Sequence, residues 1–210
     1  MRTKTPRPLL ALLVAPLLMM GTVSLTAGEK RWFKGNTHTH SLWSDGNDFP
    51  EMIAKWYKDE GYQFLVLSDH NILSRGERWM KVKDVEGRRR TLGHSTLKKY
   101  MATFGEGWVE LRGEGDAREV RLKNLDEVRS KVDETGRFLM IEGEEITDRF
   151  GKLEVHTNAI NLGELIKPQR GDSLRATMRN NLLAVQEQAE RLGRPIFAHL
   201  NHPNFRWSIT

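Results

Sequence analysis

The 210-residue chain contains no cysteine. No disulfide can brace the fold, no thiolate can serve as nucleophile or metal ligand, and no lipid can be attached through a cysteine. The core, or a bound metal, must hold the fold together. Long apolar runs are equally scarce. The only one is Leu9–Met20, interrupted by Pro16 and preceded by the basic residues Arg2, Lys4 and Arg7. Small and hydroxyl residues follow it, up to Ala27 and Gly28. This layout reads as a secretory signal peptide over residues 1–28, with cleavage after Ala27 and after Gly28 both open. The expectation is export to the periplasm or the exterior, with no stable membrane association unless the segment is retained as an anchor.

An excess of one charge is also missing. The formal net charge is +5, but three of the basic residues and no acid lie in the first 28 residues, so the remainder is near +2. A nucleic-acid partner is therefore not expected. The one basic cluster, Arg88-Arg89-Arg90, reads as a solvated loop face. There is no internal repeat and no low-complexity tract.

From residue 31 onward, strand-like and helix-like segments alternate. "RWFKGN" (31–36), "YQFLVLS" (62–68), "RFLMIE" (137–142), "VHTNAINL" (155–162) and "PIFAHL" (195–200) read as strands. Helices are expected over 50–60, with Met52, Ile53, Trp56 and Tyr57 on one face, over 125–135, and over 173–192. The last has Leu174, Met178, Leu182, Val185, Ala189 and Leu192 spaced by threes and fours. This alternation predicts an α/β fold with a parallel sheet or barrel. Residues 73–124 break the rhythm and read as an insertion, in which "WVELRGEGDAREVRLK" predicts a hairpin.

Six of the seven histidines lie at ends of expected strands: His38, His40, His70, His156, His199 and His202. His94 falls in the insertion and reads as an exposed residue. Parallel strands gather reacting groups at their carboxyl ends, a rule that His156 fits least well because it opens its strand. In "GNTHTHSLWSDG" (35–46), His38 and His40 are two residues apart. They should project to one side, about 6 to 7 Å apart by the usual rise per residue. Acidic "SDG", "SDHN" and "EGEEIT" recur at later strand ends. Imidazoles with carboxylates suit zinc, manganese or iron, and a carboxylate can bridge two ions.

"THTHSLWSDG", "FLVLSDHN", "IEGEEIT" and "AHLNHPN" together resemble the successive motifs of the PHP (polymerase and histidinol phosphatase) family of metal-dependent hydrolases. The match runs in order from about residue 35 to residue 207. The resemblance implies a distorted (β/α)7 barrel with two or three divalent metal ions at the strand ends. It further implies hydrolysis of small phosphate esters by a water activated between the ions. Hydrolysis of amide, carbamate or carboxylic esters is the alternative, as is a non-catalytic metal-binding fragment. Carried onto this chain, it makes His38, His40, Asp45, His70, Glu145, His156 and His202 metal ligands, with His199 as the alternative to His202. Glu145 would be the bridging carboxylate, Glu144 would turn to the other face, and Asp69 would act at the catalytic centre by orienting a ligand. Arg75 and Arg78 are candidates for holding a substrate phosphate, Asn71 and Asn201 for positioning a water or ligand, and Phe205 and Trp207 for lining the pocket or packing the rim.

The resemblance departs from the family pattern in one respect. The family closes on an Asp-x-His pair, and no Asp-x-His occurs in this sequence. Two strand-helix units are therefore expected to be missing after the fifth strand. That reads as a fragment of a longer protein, or as a short relative completed by self-association.

Overall fold

Three buried apolar residues, Leu65, Val66 and Leu67, form the strand around which the chain is organised. The structure, a computed structural model, describes residues 30–88 and 94–204. The described residues from Phe33 onward form one compact unit. The expected signal segment falls outside the described residues, as do Arg89, Arg90, Phe205 and Trp207. Among the described residues no helix is long and apolar enough to cross a membrane.

In chain order the elements are β1 (Gly35–Asn36), α1 (Pro50–Asp59), β2 (Phe64–Leu67), β3 (Arg78–Lys81), α2 (Val82–Arg88), α3 (Thr96–Phe104), β4 (Leu111–Arg112), β5 (Glu119–Leu122), α4 (Leu125–Val132), β6 (Leu139–Phe150), β7 (Leu153–Ile160), α5 (Leu174–Leu192) and β8 (Phe197–Leu200). The main sheet has the order β1-β2-β6-β7-β8. β1, β2 and β6 are parallel, whereas β7 is antiparallel to both β6 and β8. The class is mixed α/β, as the alternation predicts. Strict strand-helix alternation fails at one point: β6 and β7 form a hairpin turned by Gly151 at φ 60°, with no crossover helix between them. Such a turn joins antiparallel neighbours only, so β7 is reversed.

Strand β6 is long because it serves two partners in succession. Residues 139–142 pair with β2, and residues 143–150 pair with β7. Gly143 stands at the changeover. A Cβ there would lie 2.5 Å from Val66 Cγ1 and 2.9 Å from the Ala159 carbonyl oxygen, so the close approach of the three strands requires glycine.

The insertion forms a second sheet of order β3-β5-β4, all antiparallel. The expected hairpin is β4 and β5, and Arg78–Lys81 adds a third strand. Val85, Leu97, Tyr100, Val109, Val120 and Leu122 pack against Leu42, Trp43, Phe49 and Met52, so the insertion buttresses the loop after β1. The Trp43 indole N–H fixes the contact by donating to the Lys123 carbonyl at 2.9 Å.

Two expected helix faces differ from those observed. In α1 the buried residues are Pro50, Glu51, Met52 and Ala54, while Trp56 is 55% exposed. Glu51 can be interior because its Oε1 accepts the Tyr100 hydroxyl and, at 2.8 Å, the Trp108 indole N–H. Phe49 stacks on the same tyrosine at 3.8 Å between ring centroids. In α5 the buried residues are Thr177, Asn181, Val185 and Gln188, whereas Leu182 is exposed. These polar side chains are needed inside. Asn181 accepts from Gln169 N, and Gln188 accepts from Gly163 N and Glu164 N, so the loop before α5 finds its hydrogen bonds there.

Replacing Glu51 by alanine would leave two enclosed donors without an acceptor, and urea unfolding should show a loss of about 2–4 kcal/mol. Glu51→Gln keeps an acceptor and should lose clearly less. An alanine variant as stable as the parent would show that this carboxylate does not hold the insertion to α1.

Candidate metal centre

Strand direction brings the motif residues to one rim. The carboxyl ends of β1, β2, β6 and β8 coincide with the amino end of β7, because β7 alone is reversed. His156, which opens the expected strand 155–162, lies within β7 (Leu153–Ile160), and the reversal of that strand brings it to the rim. His156 lies opposite Thr147 on β6, and Glu145 lies opposite Asn158.

Glu145 is the centre. Its side chain is fully buried. Oε2 lies 2.7 Å from His40 Nε2 and 3.2 Å from both His38 Nε2 and His70 Nδ1. Oε1 lies 3.0 Å from His156 Nδ1, 3.2 Å from His202 Nε2 and 2.7 Å from the Asn201 amide nitrogen. Asp45 joins from the loop after β1: its Oδ1 is 2.7 Å from His40 Nδ1 and its Oδ2 is 3.5 Å from His70 Nε2. His38, His40, Asp45, His70, Glu145, His156 and His202 are thus all brought together. His199 is not. It stands opposite Asn158 on β8, and its Nε2 is buried without a hydrogen bond, so His202 is the histidine that the fold delivers to Glu145.

Hydrogen bonds alone do not account for this cluster. A carboxylate oxygen has two lone pairs, yet three imidazole nitrogens converge on Oε2. His38 Nε2 and His40 Nε2 face each other at 3.0 Å. Both ring nitrogens of His156 are buried without a hydrogen-bond partner among the described residues. Lone pairs aimed at a common space around a buried carboxylate fit a cation. The sets His38-His40-Glu145, His40-Asp45-His70 and His70-Glu145-His156 each place three donor atoms within 4.8 Å of one another, and such groups could hold a metal ion.

The electrostatics agree with that donor set. Burial alone would raise the Glu145 carboxyl, but His156, His38, His40 and Asn201 hold it far below the usual carboxylate range. Burial likewise works against the ionised form of Asp45, and His40 and His70 overcome it, so its pKa is lowered. For His40, burial is outweighed by Glu145 and Asp45, and the pKa is raised. At His70 burial prevails and lowers it. Glu145 is therefore ionised and available as a bridging ligand.

Supporting residues fix the loops. The Asp69 side chain is bound to the loop after β1. Its Oδ1 accepts from Ser41 N at 2.8 Å and from Ser44 Oγ at 2.6 Å, and its Oδ2 accepts from Ser41 Oγ at 2.8 Å. Asp69 is buried and positions the loop that carries His40 and Asp45. Gly46 belongs to the same device, since a Cβ there would lie 2.5 Å from the His40 carbonyl carbon. Asn201 does meet the centre, donating to both Glu145 and Asn158. The Asn71 side chain bonds Thr147 N at 2.9 Å and Thr147 O at 3.1 Å. The Thr147 hydroxyl in turn pairs with His70 Nδ1. Thr147 was not expected at the site, although it lies two residues beyond Glu145 and strand alternation puts both on one face. Arg75 is bound to Glu142 at 2.8 and 2.5 Å, and Arg78 lies over the Trp43 ring, so neither reaches the centre. His94 is exposed.

Neither the family models nor the curated proteins searched give a match to this chain. The resemblance to PHP hydrolases therefore rests on the motif residues alone.

Glu144, the neighbour of Glu145, turns to the other face. It is fully buried, and its Oε2 accepts from Ile166 N at 2.9 Å while Oε1 has no hydrogen-bond partner among the described residues. Burial pushes its carboxyl up to about 7 from an ordinary 4.5, against the Ile166 hydrogen bond. A carboxyl with a raised folded pKa contributes stability that is complete below the unfolded value and lost as pH rises through the folded one. Stability should therefore fall by on the order of 3 kcal/mol between pH 4.5 and about 7 on this account. Glu144→Gln should remove that part of the decline in chemical unfolding measured across this range. An unchanged pH profile in the variant would contradict the assignment.

Proposed function

We propose that this chain is a PHP-type metal-dependent hydrolase acting on small phosphate esters, with two or three divalent ions of zinc, manganese or iron at the rim of the sheet. The observation that carries the reading is the single buried carboxylate of Glu145, set between His156 of β7 and histidines from the segments that follow β1, β2 and β8. His38, His40, His70, His156 and His202 would hold the ions with Glu145 and Asp45. A neutral imidazole has one lone pair, so His40 and His70 each serve one ion at a time although each belongs to two donor sets. Four co-directional strands with their motif residues on one rim support placement in a barrel of the PHP type, and the N-terminal segment supports export.

Divalent ions in such a set supply Lewis acidity, which acidifies water to near neutral pKa and offsets charge on a phosphoryl oxygen. The chain's own residues bind and orient. Asn201 fixes the rotamer of Glu145, Thr147 fixes the ring of His70, and Asp69 holds the loop bearing His40 and Asp45. No side-chain nucleophile stands free among the residues supporting the centre. The Ser41 and Ser44 hydroxyls are committed to Asp69, and the Thr147 hydroxyl to His70. This favours direct attack by water over a covalent intermediate.

Metal-loaded protein should release phosphate from aryl and alkyl phosphates in a chromogenic panel that also contains carboxylic esters, amides and carbamates. Glu145→Gln should lower turnover by more than about a hundredfold, beyond the loss typical of groups that only support a ligand. Turnover confined to the non-phosphate members would redirect the substrate class. Near-normal turnover by the variant would remove Glu145 from the centre.

A further inference from the structure

A cavity of about 300 Å³ adjoins the histidine cluster; its lining includes Asn71, Thr147, Asp148, Arg149, Glu154 and Arg170. It is continuous with the centre in sequence and in contact. Asn71 follows His70, the Thr147 hydroxyl pairs with His70 Nδ1, and Glu154 Oε2 lies 3.6 Å from His156 Nε2. Along β6, residues two apart share a face, so Glu145, Thr147 and Arg149 project to the same side. Arg149 stands about 13 Å along the strand from Glu145 by the usual rise.

The wall of this cavity is built under strain. Among the described residues, three other than glycine have positive φ: Asn71 at 49°, Asn161 at 68° and Arg170 at 57°. Two of these three line the cavity. Each left-handed residue costs energy unless its surroundings hold it, and Arg170 has no side-chain excuse of the kind asparagine has. The surroundings do hold both. Asn71 is bonded through its side chain to both backbone groups of Thr147. Arg170 donates its backbone N–H to Asp148 Oδ2 at 2.9 Å, and its guanidinium reaches Asp148 Oδ1 at 3.0 Å and the Arg149 carbonyl at 3.2 Å. Asp148 is thereby occupied, and Glu154 is turned toward His156. The guanidinium of Arg149 makes no hydrogen bond or ion pair with any described residue. Arg149 is exposed, stands opposite Glu154 across the hairpin, and brings a fixed-charge, forked donor to the cavity beside the centre.

We infer that this cavity is a substrate-recognition subsite, in which Arg149 takes a second anionic group of the substrate, a carboxylate or a second phosphate, while the scissile phosphate lies at the histidine cluster. The inference rests on the hydrolase reading above and narrows its substrate class to small bis-anionic phosphate esters. Arg149 offers bidentate recognition suited to either anion. Arg170 and Asn71 are positioning residues that keep the wall in place.

The test compares propyl phosphate with two bis-anionic partners, 3-phosphonooxypropanoate and propane-1,3-diyl bisphosphate, using metal-loaded protein. Phosphate release gives kcat/KM, and calorimetric titration of the same compounds gives affinity. The parent should prefer at least one bis-anion over propyl phosphate, and which one separates a carboxylate from a second phosphate. Arg149→Ala should reduce that preference about tenfold or more, Arg149→Lys should restore part of it, and Arg149→Glu should reverse it. Metal content measured on each variant confirms that the centre itself is intact. A parent with no preference, or a preference unchanged in Arg149→Ala, overturns the inference while leaving hydrolysis standing. Absence of phosphate release from every ester defeats the hydrolase reading. In that case the calorimetric preference still decides the subsite.

Discussion

A buried carboxylate surrounded by more imidazole nitrogens than it has lone pairs is the constraint on which this structure depends. Glu145 sits at full burial on the long strand β6, and five histidines and one asparagine amide converge on its two oxygens. An isolated carboxylate in that position would be costly, and imidazoles packed nitrogen to nitrogen have little reason to gather without a cation between them. Much of the surrounding architecture serves to hold this arrangement. Gly143 lets β2, β6 and β7 close on one another just before Glu145. Asn201, just beyond β8, donates both to its oxygen and to Asn158 of β7. Asp69 and Gly46 shape the loop that supplies His40 and Asp45.

The insertion acquires a reason within this frame. The loop after β1 bears the one exposed acid of the cluster, Asp45, and such a loop is ordinarily a mobile part of a fold. Here Leu42, Trp43 and Phe49 anchor it in the core formed by α2, α3 and the second sheet. Glu51 adds a polar tie beneath it through Tyr100 and Trp108. Rigid support at this point is what a site of fixed geometry requires.

Much of this was legible in the sequence, and the reasons differ from element to element. The apolar run at 62–68 and the helix at 173–192 identify themselves by periodicity, and the histidines mark the strand ends. The reversal of β7 was not legible, because a two-residue hairpin turn at Gly151-Lys152 carries no signal that outweighs a general expectation of crossover helices. The buried faces of α1 and α5 were misread because apolar spacing cannot reveal that Glu51, Asn181 and Gln188 are interior hydrogen-bond partners. The motif histidines and Glu145 came from the resemblance, and their convergence is a property of the fold. Asp69, adjacent to His70, bonds Ser41 and Ser44 in the loop after β1. Thr147, two residues past Glu145, was open to the strand-alternation argument.

The central claim is that these imidazoles and carboxylates gather around cations. Elemental mass spectrometry of the protein purified without chelator tests it most directly. The account predicts about two or more zinc, manganese or iron ions per chain. Folded protein that retains no divalent metal, and takes none up when it is supplied, would contradict it.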